Sequence, residues 1–596
     1  MKSQSITPLL KRLWRHISPH RHGQFKLLML LMLLASFAEV FSIGAVVPFL
    51  GVLTAPELVF ELPILQPIFQ ALKLTESKQL LLPLTIVFGG AVLIAGAMRL
   101  LLLWTSTRLA FATGSDLSIR IYRRTLYQPY AVHCGRNSSE VINGISVKAN
   151  GVIFGIIMPA LTLISSIIML TSILMTLLMV QPVVALVAFS GFGLIYVVII
   201  RLTRKQLLAN SKCVARESTQ VIKSLQEGLG GIRDVLIDGS QAVYCQIYRN
   251  ADIRLRRAQG NNAFIGSSPR FGMEALGMLL IATLAYFMAQ QPSGVAKAIP
   301  ILGALALGAQ RLLPVLQQAY VAWSEINGGS ASLEDTLKLL DQPLPCYANQ
   351  SVIQPLPFNH SIRLKQLDFR YSEQMPFVLK QLNLTIAKGS RVGFIGTTGS
   401  GKSTLLDIIM GLLQPSGGDL EIDGQTITLG NNIAWQSHIA HVPQAIFLAD
   451  STIEENIAFG IAKDQIDHSR VKLAAQQAQI AEIIESWSKK YQTIVGEQGV
   501  RLSGGQRQRI GIARALYKQA DVIIFDEATS ALDNETEQEV MLAIEGLSKE
   551  LTVLIIAHRI TTLKNCTEIV ELGGSGIKRI GSYQDIMNDT TLTNTW

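Results

Sequence analysis

The sequence predicts two fold classes in one chain: a membrane α-helical bundle of six transmembrane helices with long cytoplasmic extensions, followed by an α/β P-loop domain. Three observations predict this. Hydrophobic residues make up 49% of the 596 positions and charged residues only 16%, against about 25% charged in a soluble domain, so the deficit belongs to membrane spans. The long apolar runs all lie before residue 341, and prolines at 343, 345, 355 and 357 mark a linker over Asp341–Pro357. Beyond it, short strand and helix patterns of ordinary polarity alternate, and one glycine-rich loop, Gly396–Thr404, sits between them. The expected organisation is a membrane domain over 1–340, a linker over 341–357 and an α/β domain over 358–596.

Taken in order, residues 1–24 are basic, with Lys11, Arg12, Arg15 and Arg21. The apolar run Leu27–Leu53 follows, too long for a signal-peptide core. Further runs cover Leu80–Ala112, Gly151–Val180, Val183–Ile200, Ala275–Ala289 with its flanks, and Ala298–Ala322. Each is near or beyond the ~20 residues a helix needs to cross a bilayer. Arg270 and Glu274 make the start of the fifth run the most polar of them. The segments Arg120–Lys148 and Arg201–Arg257 are rich in Lys and Arg, whereas Gln181-Pro182 carries no charge and Gln290–Lys297 only one. The bias of positive charge toward the cytosol places the N-terminus and both basic segments there. The net charge of +9 is therefore topological, which excludes nucleic acid as its partner. Both basic segments are expected to be helical extensions of the spans, with turns near Gln128–His133 and Gly228–Asp238. Thr54–Lys78, on the outside, carries Leu62, Leu65, Ile68, Phe69 and Leu72 at near-helical spacing. It is read either as an interfacial amphipathic helix or as a packed loop. The five cysteines are scattered, with no metal-ligand spacing, and are expected to be reduced.

In the second half, Arg391-Val392-Gly393-Phe394-Ile395 reads as a buried strand and Leu405–Met410 as a helix, with Gly396-Thr397-Thr398-Gly399-Ser400-Gly401-Lys402-Ser403-Thr404 between them. This is the context a phosphate-binding loop requires. Glycines let successive N–H groups converge on one anion at the positive end of a helix. Lys402 supplies a mobile cation for the outer phosphates, and the Ser403 hydroxyl is a Mg²⁺ ligand. Val522-Ile523-Ile524-Phe525-Asp526-Glu527 reads as an apolar strand ending in two carboxylates. There Asp526 holds Mg²⁺ through water, and Glu527 accepts a proton from the water that attacks the γ-phosphate. Leu502-Ser503-Gly504-Gly505-Gln506 precedes a helix expected over Arg507–Leu516 and offers a second anion-binding helix terminus. Two such ends in one small domain make sense when two copies meet head to tail, each closing on the other's ATP.

Leu502–Gln506, following the glycine loop and preceding the strand that ends in Asp526-Glu527, resembles the signature of the ABC transporter ATPase domain. The resemblance extends to the other stations of that family. It implies that Tyr371 stacks on adenine, that Gln444 touches Mg²⁺ and faces the membrane domain, and that His558 contacts the γ-phosphate. Gly496–Gly499 is similar to the exporter X-loop and Ser530–Asp533 to the D-loop. Six spans and one ATPase domain resemble an exporter half-transporter, which implies ATP and Mg²⁺ as cofactors and a homodimer, or a heterodimer, in the membrane. Thr397 departs from the family pattern, where many relatives have proline.

The first span, Phe37–Leu50, resembles that of bacterial flippases for lipid-linked oligosaccharides, and so does the long external segment after it. The resemblance implies an amphiphilic, lipid-linked substrate moved outward across the bacterial inner membrane, with Arg311 on its path; the second arginine of those relatives is absent, and Gln317 and Gln318 occupy its region. Glu39 and Arg99 also stand at membrane depth, where a charge lines a cavity or pairs with another. Two other readings stay open: export of a peptide or drug-like amphiphile, and an ATP-gated channel or regulator, against which Glu527 and His558 argue. A peptidase-bearing bacteriocin exporter is not expected, because no such domain precedes the first span.

Overall fold

A computed structural model describes residues 6–54, 81–180, 182–289, 312–349, 354–527, 551–557 and 560–588, with isolated positions between 528 and 550. The chain divides into two compact units: Met1–Gln128 with Gly135–Leu344, and Pro129–Cys134 with Pro345–Trp596. The split between Leu344 and Pro345 falls inside the proline-marked segment, where φ is fixed and helix continuation is blocked.

The first unit is all helical. It opens with α1 (Ile6–His16) and α2 (Pro19–Thr54), and then α3 (Leu81–Leu126). The short α4 (Tyr130–Cys134) belongs to the second unit. A helical segment over 138–180 follows, α5, containing π turns at Gly144–Lys148 and Ile153–Ile157. Next come α6 (Pro182–Gly230), α7 (Ile232–Ile237), α8 (Gln241–Ser267) and α9 (Pro269–Ala289). A helix over 312–328, α10, and α11 (Ser330–Leu340) complete the unit. Among the described residues, three helices are long and apolar enough to cross a membrane, over Pro19–Ser42, Leu81–Leu126 and Ser138–Thr176. Apolar side chains on the surface of α2 and α3, such as Leu27, Phe37, Leu93 and Leu100, are more than 60% exposed. That pattern suits hydrocarbon rather than water as the solvent. The basic segments after these spans are helical, as the sequence predicts: α3 runs on through Arg124, and α6 through Lys223. The third helix begins at Ser138, well before the apolar run at Gly151, because Asn137 caps it by accepting from Ser139 N.

The core of this unit lies where α1, α2, α3, α5 and α11 meet, with Leu13, Phe25, Ile121, Ile156 and Leu337 all buried. Asp341, just past α11, is held by Arg12 and His16 of α1. The predicted linker thus begins as part of the helical unit.

The second unit is two sheets and their helices. An antiparallel sheet of order β2-β1-β4-β5 uses β1 (Ser361–Phe369), β2 (Leu379–Ala387), β4 (Gly417–Ile422) and β5 (Gln425–Thr426). The larger sheet has the order β10-β9-β3-β8-β7-β6. Its strands are β3 (Arg391–Gly396), β6 (Ile439–Val442), β7 (Val522–Asp526), β8 (Thr552–Ile556), β9 (Glu568–Gly573) and β10 (Gly576–Gly581). All pairs but β9–β10 are parallel. The interior strands read as continuous apolar runs because both faces are covered. One face packs with the antiparallel sheet and α12 (Lys402–Ile409), through Phe394, Leu405, Ile409, Trp435 and Ile524. The other packs on α13 (His468–Gln477) and α14 (Gly504–Lys518), through Ala440, Ala475, Ile510, Ile512 and Phe525.

Candidate ATP site and membrane cavity

In a parallel sheet, ligands bind beyond the carboxyl ends of the strands, and here register brings the predicted residues to that edge. β3 ends at Gly396. In β6 and β7, Val442 pairs with Phe525, so Gln444 and Glu527 each lie two residues past a paired position. There the Gln444 Nε2 donates to Glu527 Oε2 at 2.6 Å. The next strand holds Glu527 as well, because its backbone N donates to Ile556 O at 3.1 Å. Glu527 takes φ +51°, a left-handed conformation that a non-glycine residue adopts at a cost of ~1–3 kcal/mol and that clusters at functional sites.

The glycine loop is built as its sequence requires. Gly396 takes φ +148°, and a Cβ there would lie 2.4 Å from Leu572 O. Gly401, at φ +93°, is the residue from which α12 springs, and a Cβ on it would meet the Leu379 side chain at 2.9 Å. Lys402, expected as a mobile cation, is instead buried, its Nζ donating to Gly396 O at 2.7 Å and Thr397 O at 3.1 Å. Burial pulls its pKa below the ordinary lysine value, opposed by the charges of Glu527 and Asp526. Thr397, Thr398, Gly399 and Ser403 are exposed. The Ser400 hydroxyl is buried and has no hydrogen-bond partner among the described residues. This orphaned buried donor, in the loop that leads into the N-terminus of α12, fits an anion. Thr404, at the far end of the motif, bonds Tyr371 Oη at 2.9 Å. Tyr371 makes an edge-to-face contact with Phe369 and is 55% exposed, as a stacking platform needs.

Sequence reasoning missed one carboxylate. Asp407, on α12, is pushed up to about 6 by burial and by the negative charge of Asp526. Its signal in the sequence is a single acid inside the apolar run Leu405–Met410.

The signature helix starts earlier than predicted. α14 begins at Gly504 rather than Arg507, because Ser503 is its N-cap: Ser503 Oγ accepts from Gln506 N at 3.2 Å, and Ser503 N donates to Gln506 Oε1 at 3.0 Å. Gly504, Gly505 and Gln506 are thus its first turn, with amides free of intrahelical acceptors. Leu502 is buried and Ser503 is exposed. Among the described residues, no hydrogen bond joins 502–506 to the glycine loop of the same chain. His558, Ser530–Asp533, Arg311 and, of the segment Thr54–Lys78, all but Thr54 lie outside the described residues.

In the helical unit, Arg99 forms an ion pair with Glu39, which is 1% exposed. The pairing matches the ion-pair reading of Glu39, whose carboxylate is a buried counter-ion of Arg99. Arg99 also lines a cavity of about 510 Å³ with Ser106, Ser165, Ser166 and Gln318. A second cavity, of about 690 Å³, is lined by Tyr196, Arg270, Glu274, Gln317 and Glu325, and shares Thr162, Pro314 and Gln318 with the first. Gln317 and Gln318 therefore both line this space.

Comparison with known proteins agrees with both halves. Residues 21–292 match the family model of the ABC transporter transmembrane region, and 379–530 match that of the ABC transporter. An ATP-dependent lipid A-core flippase of Alkalilimnicola ehrlichii is 29% identical over 67% of this chain and 67% of its own. A protein of the same name from Cupriavidus metallidurans is 27% identical over 84% of each. One from Saccharophagus degradans is 38% identical over 44% of each. Among solved structures, a bacterial Atm1-family ABC exporter with ATP bound has the same fold, with a TM-score of 0.76 over 96% of each chain at 22% identity. This chain belongs to the ABC transporters, with the family's membrane region and its ATPase domain in one polypeptide that couples ATP hydrolysis to transport across a membrane.

Proposed function

We propose that the chain is a flippase half-transporter that moves a phosphate-bearing glycolipid from the cytosolic to the outer leaflet of a bacterial inner membrane. The observation that carries the reading is the shared cavity, where Arg99, Arg270 and Glu325 stand among serines, glutamines and apolar side chains. An amphiphile needs such a mixture: ionic and hydrogen-bonding partners for a headgroup, and apolar wall for a chain that never leaves lipid. A guanidinium pairs with phosphate by bidentate, charge-assisted bonds. The relatives named as lipid A-core flippases support a lipid cargo with a glycan head, more directly than they support a lipid-linked oligosaccharide.

In this reading the Gly396–Ser403 amides and the Ser400 hydroxyl hold the phosphates, Lys402 leaves its loop carbonyls for them, and Tyr371 stacks on the base. Ser403, Gln444 and Asp526 would hold Mg²⁺, an oxygen-rich set that suits that ion and that supplies charge neutralisation for the phosphates. Glu527, held between Gln444 and β8, takes the proton of the attacking water, and His558 contacts the γ-phosphate. Ser503–Gln506 act on the ATP of a second copy. The test is ATPase stimulation of purified protein in liposomes by lipid A-core glycolipid, by a lipid-linked oligosaccharide and by amphiphilic peptides. Stimulation by the first above the others supports the proposal; stimulation by peptides alone overturns it.

A further inference from the structure

We propose that the groove between α2 and α3 holds a resident anionic phospholipid of the cytoplasmic leaflet, distinct from any transported cargo. The groove has a volume of about 550 Å³, with Leu27, Leu30, Leu31 and Leu34 on one wall and Trp104 and Arg108 on the other. Leu27, Leu30 and Leu34 recur at helical spacing and are 67%, 52% and 50% exposed, and Trp104 is 59% exposed. From Gln24 to Leu34 the apolar wall extends ~15 Å at the helical rise, long enough to seat a length of acyl chain.

Charge decides which lipid. Positive-inside topology puts the start of α2 and the Arg108 end of α3 at the cytoplasmic surface. Two arginines stand there, and they are not equivalent. Arg21 is neutralised, its Nε on Asp116 Oδ2 at 2.9 Å and its Nη1 on Gln24 Oε1 at 2.9 Å. Arg108 is exposed and lies over the Trp104 ring, 5.5 Å from its centroid, and among the described residues no carboxylate pairs with it. The ring fixes the guanidinium at the mouth of the apolar wall. A phosphate there gains an oriented bidentate donor, while the chain below it covers the exposed leucines. A zwitterionic lipid offers the same phosphate but brings an ammonium against Arg108, so an anionic glycerophospholipid is the better occupant.

The experiment uses the full-length protein in phosphatidylcholine vesicles doped with either phosphatidylglycerol or phosphatidylcholine carrying brominated chains. Trp104 fluorescence is obtained as the difference between wild type and Trp104→Phe. Brominated phosphatidylglycerol is expected to occupy the groove about five-fold more readily than its zwitterionic counterpart, the preference one arginine near an anionic surface confers. Arg108→Gln should abolish the preference and Arg108→Lys should retain part of it, with basal ATPase unchanged in both as the check on folding. Equal quenching by both lipids in wild type would overturn the proposal in favour of unselective solvation. Absence of Trp104 quenching by either would overturn it in favour of a groove covered by a second copy of the chain.

Discussion

Gln444 Nε2 and Glu527 Oε2 are 2.6 Å apart, joining the second residue after β6 to the first residue after β7 at the carboxyl edge of the sheet. With a left-handed backbone and a bond from its N to Ile556 O, Glu527 is over-determined. A proton acceptor must be so placed if it is to meet one water in one geometry. Glu527→Gln keeps the shape and removes the basicity. ATPase turnover is expected to fall by about 10²–10⁴-fold, the usual share of a general base, while nucleotide affinity stays within a few-fold. Gln444→Ala frees the carboxylate without removing it and should cost less. Turnover in Glu527→Gln equal to wild type would exclude this glutamate as the base.

Lys402 Nζ is bonded to Gly396 O and Thr397 O, so the lysine spans its own loop. Removing it deletes a brace of the loop and, in the proposed function, the cation for the phosphates. Lys402→Ala is expected to weaken ATP binding at least ten-fold, read by titration with a fluorescent nucleotide. Lys402→Arg should not restore it, because a planar fork cannot enter a site shaped for a point charge. Unchanged affinity in Lys402→Ala would show that the backbone amides alone hold the phosphates.

Ser503 separates stability from function. Losing its cap on α14 should cost about 1 kcal/mol in Ser503→Ala, seen as a small fall in melting temperature. Ser503→Arg places bulk where a partner's phosphate would lie. In a mixed dimer of Ser503→Arg with Lys402→Ala, opposed sites put both lesions in one composite site and leave the other able to bind ATP. Crosslinks from residue 503 to the glycine loop that form only within one chain would defeat the head-to-tail arrangement.

How much of this was legible in the sequence follows from what fixes each feature. The glycine loop and Asp526-Glu527 were readable because their chemistry demands particular residue types at fixed offsets; Gly396 and Gly401 would clash with any Cβ. The start of α14 was misplaced by three residues because glycines disfavour a helix interior, and the capping of Ser503 by Gln506 outweighs that. Lys402 was read for its charge, while its burial is a property of the folded loop. The Glu39–Arg99 pair joins positions far apart in the chain, and sequence alone leans toward a structural charge without naming its partner. Asp407 had no motif to announce it; only the folded sheet brings Asp526 close.

Asp407 gives a pH dependence with a definite sign. Its carboxyl titrates at about 6 in the folded chain against an ordinary 3.8, because burial and Asp526 both disfavour the anion. Between these values the folded state binds more protons than the unfolded, so stability falls as pH rises from about 4 to about 6 and the loss is complete above that. Asp407→Asn removes the buried charge. Partial exposure reduces the effect to about 1–2 kcal/mol, so without nucleotide the variant should melt higher than wild type at pH 8, by about half as much at pH 5, and close to it at pH 4. A variant that melts lower at pH 8 would mean the carboxylate is needed in its charged form.

The Arg99–Glu39 pair makes the last test, because it asks whether a charge at membrane depth is structural or a contact for cargo. Glu39 is almost fully buried while Arg99 is 43% exposed, so the two deletions leave different residues stranded. Glu39→Ala leaves a guanidinium that can turn into the adjacent cavity of about 510 Å³ and find water or a headgroup. Arg99→Ala leaves a carboxylate with no such outlet, and breaking a buried pair from one side costs about 3–5 kcal/mol. Arg99→Ala should therefore lower the melting temperature in detergent more than Glu39→Ala, and Arg99→Ala combined with Glu39→Gln should recover most of the loss. Glycolipid-stimulated ATPase separates the roles. If Arg99 only neutralises Glu39, the double variant regains stimulation along with stability. If Arg99 also holds the phosphate, stability returns and stimulation does not, and the arginine belongs to the cargo path.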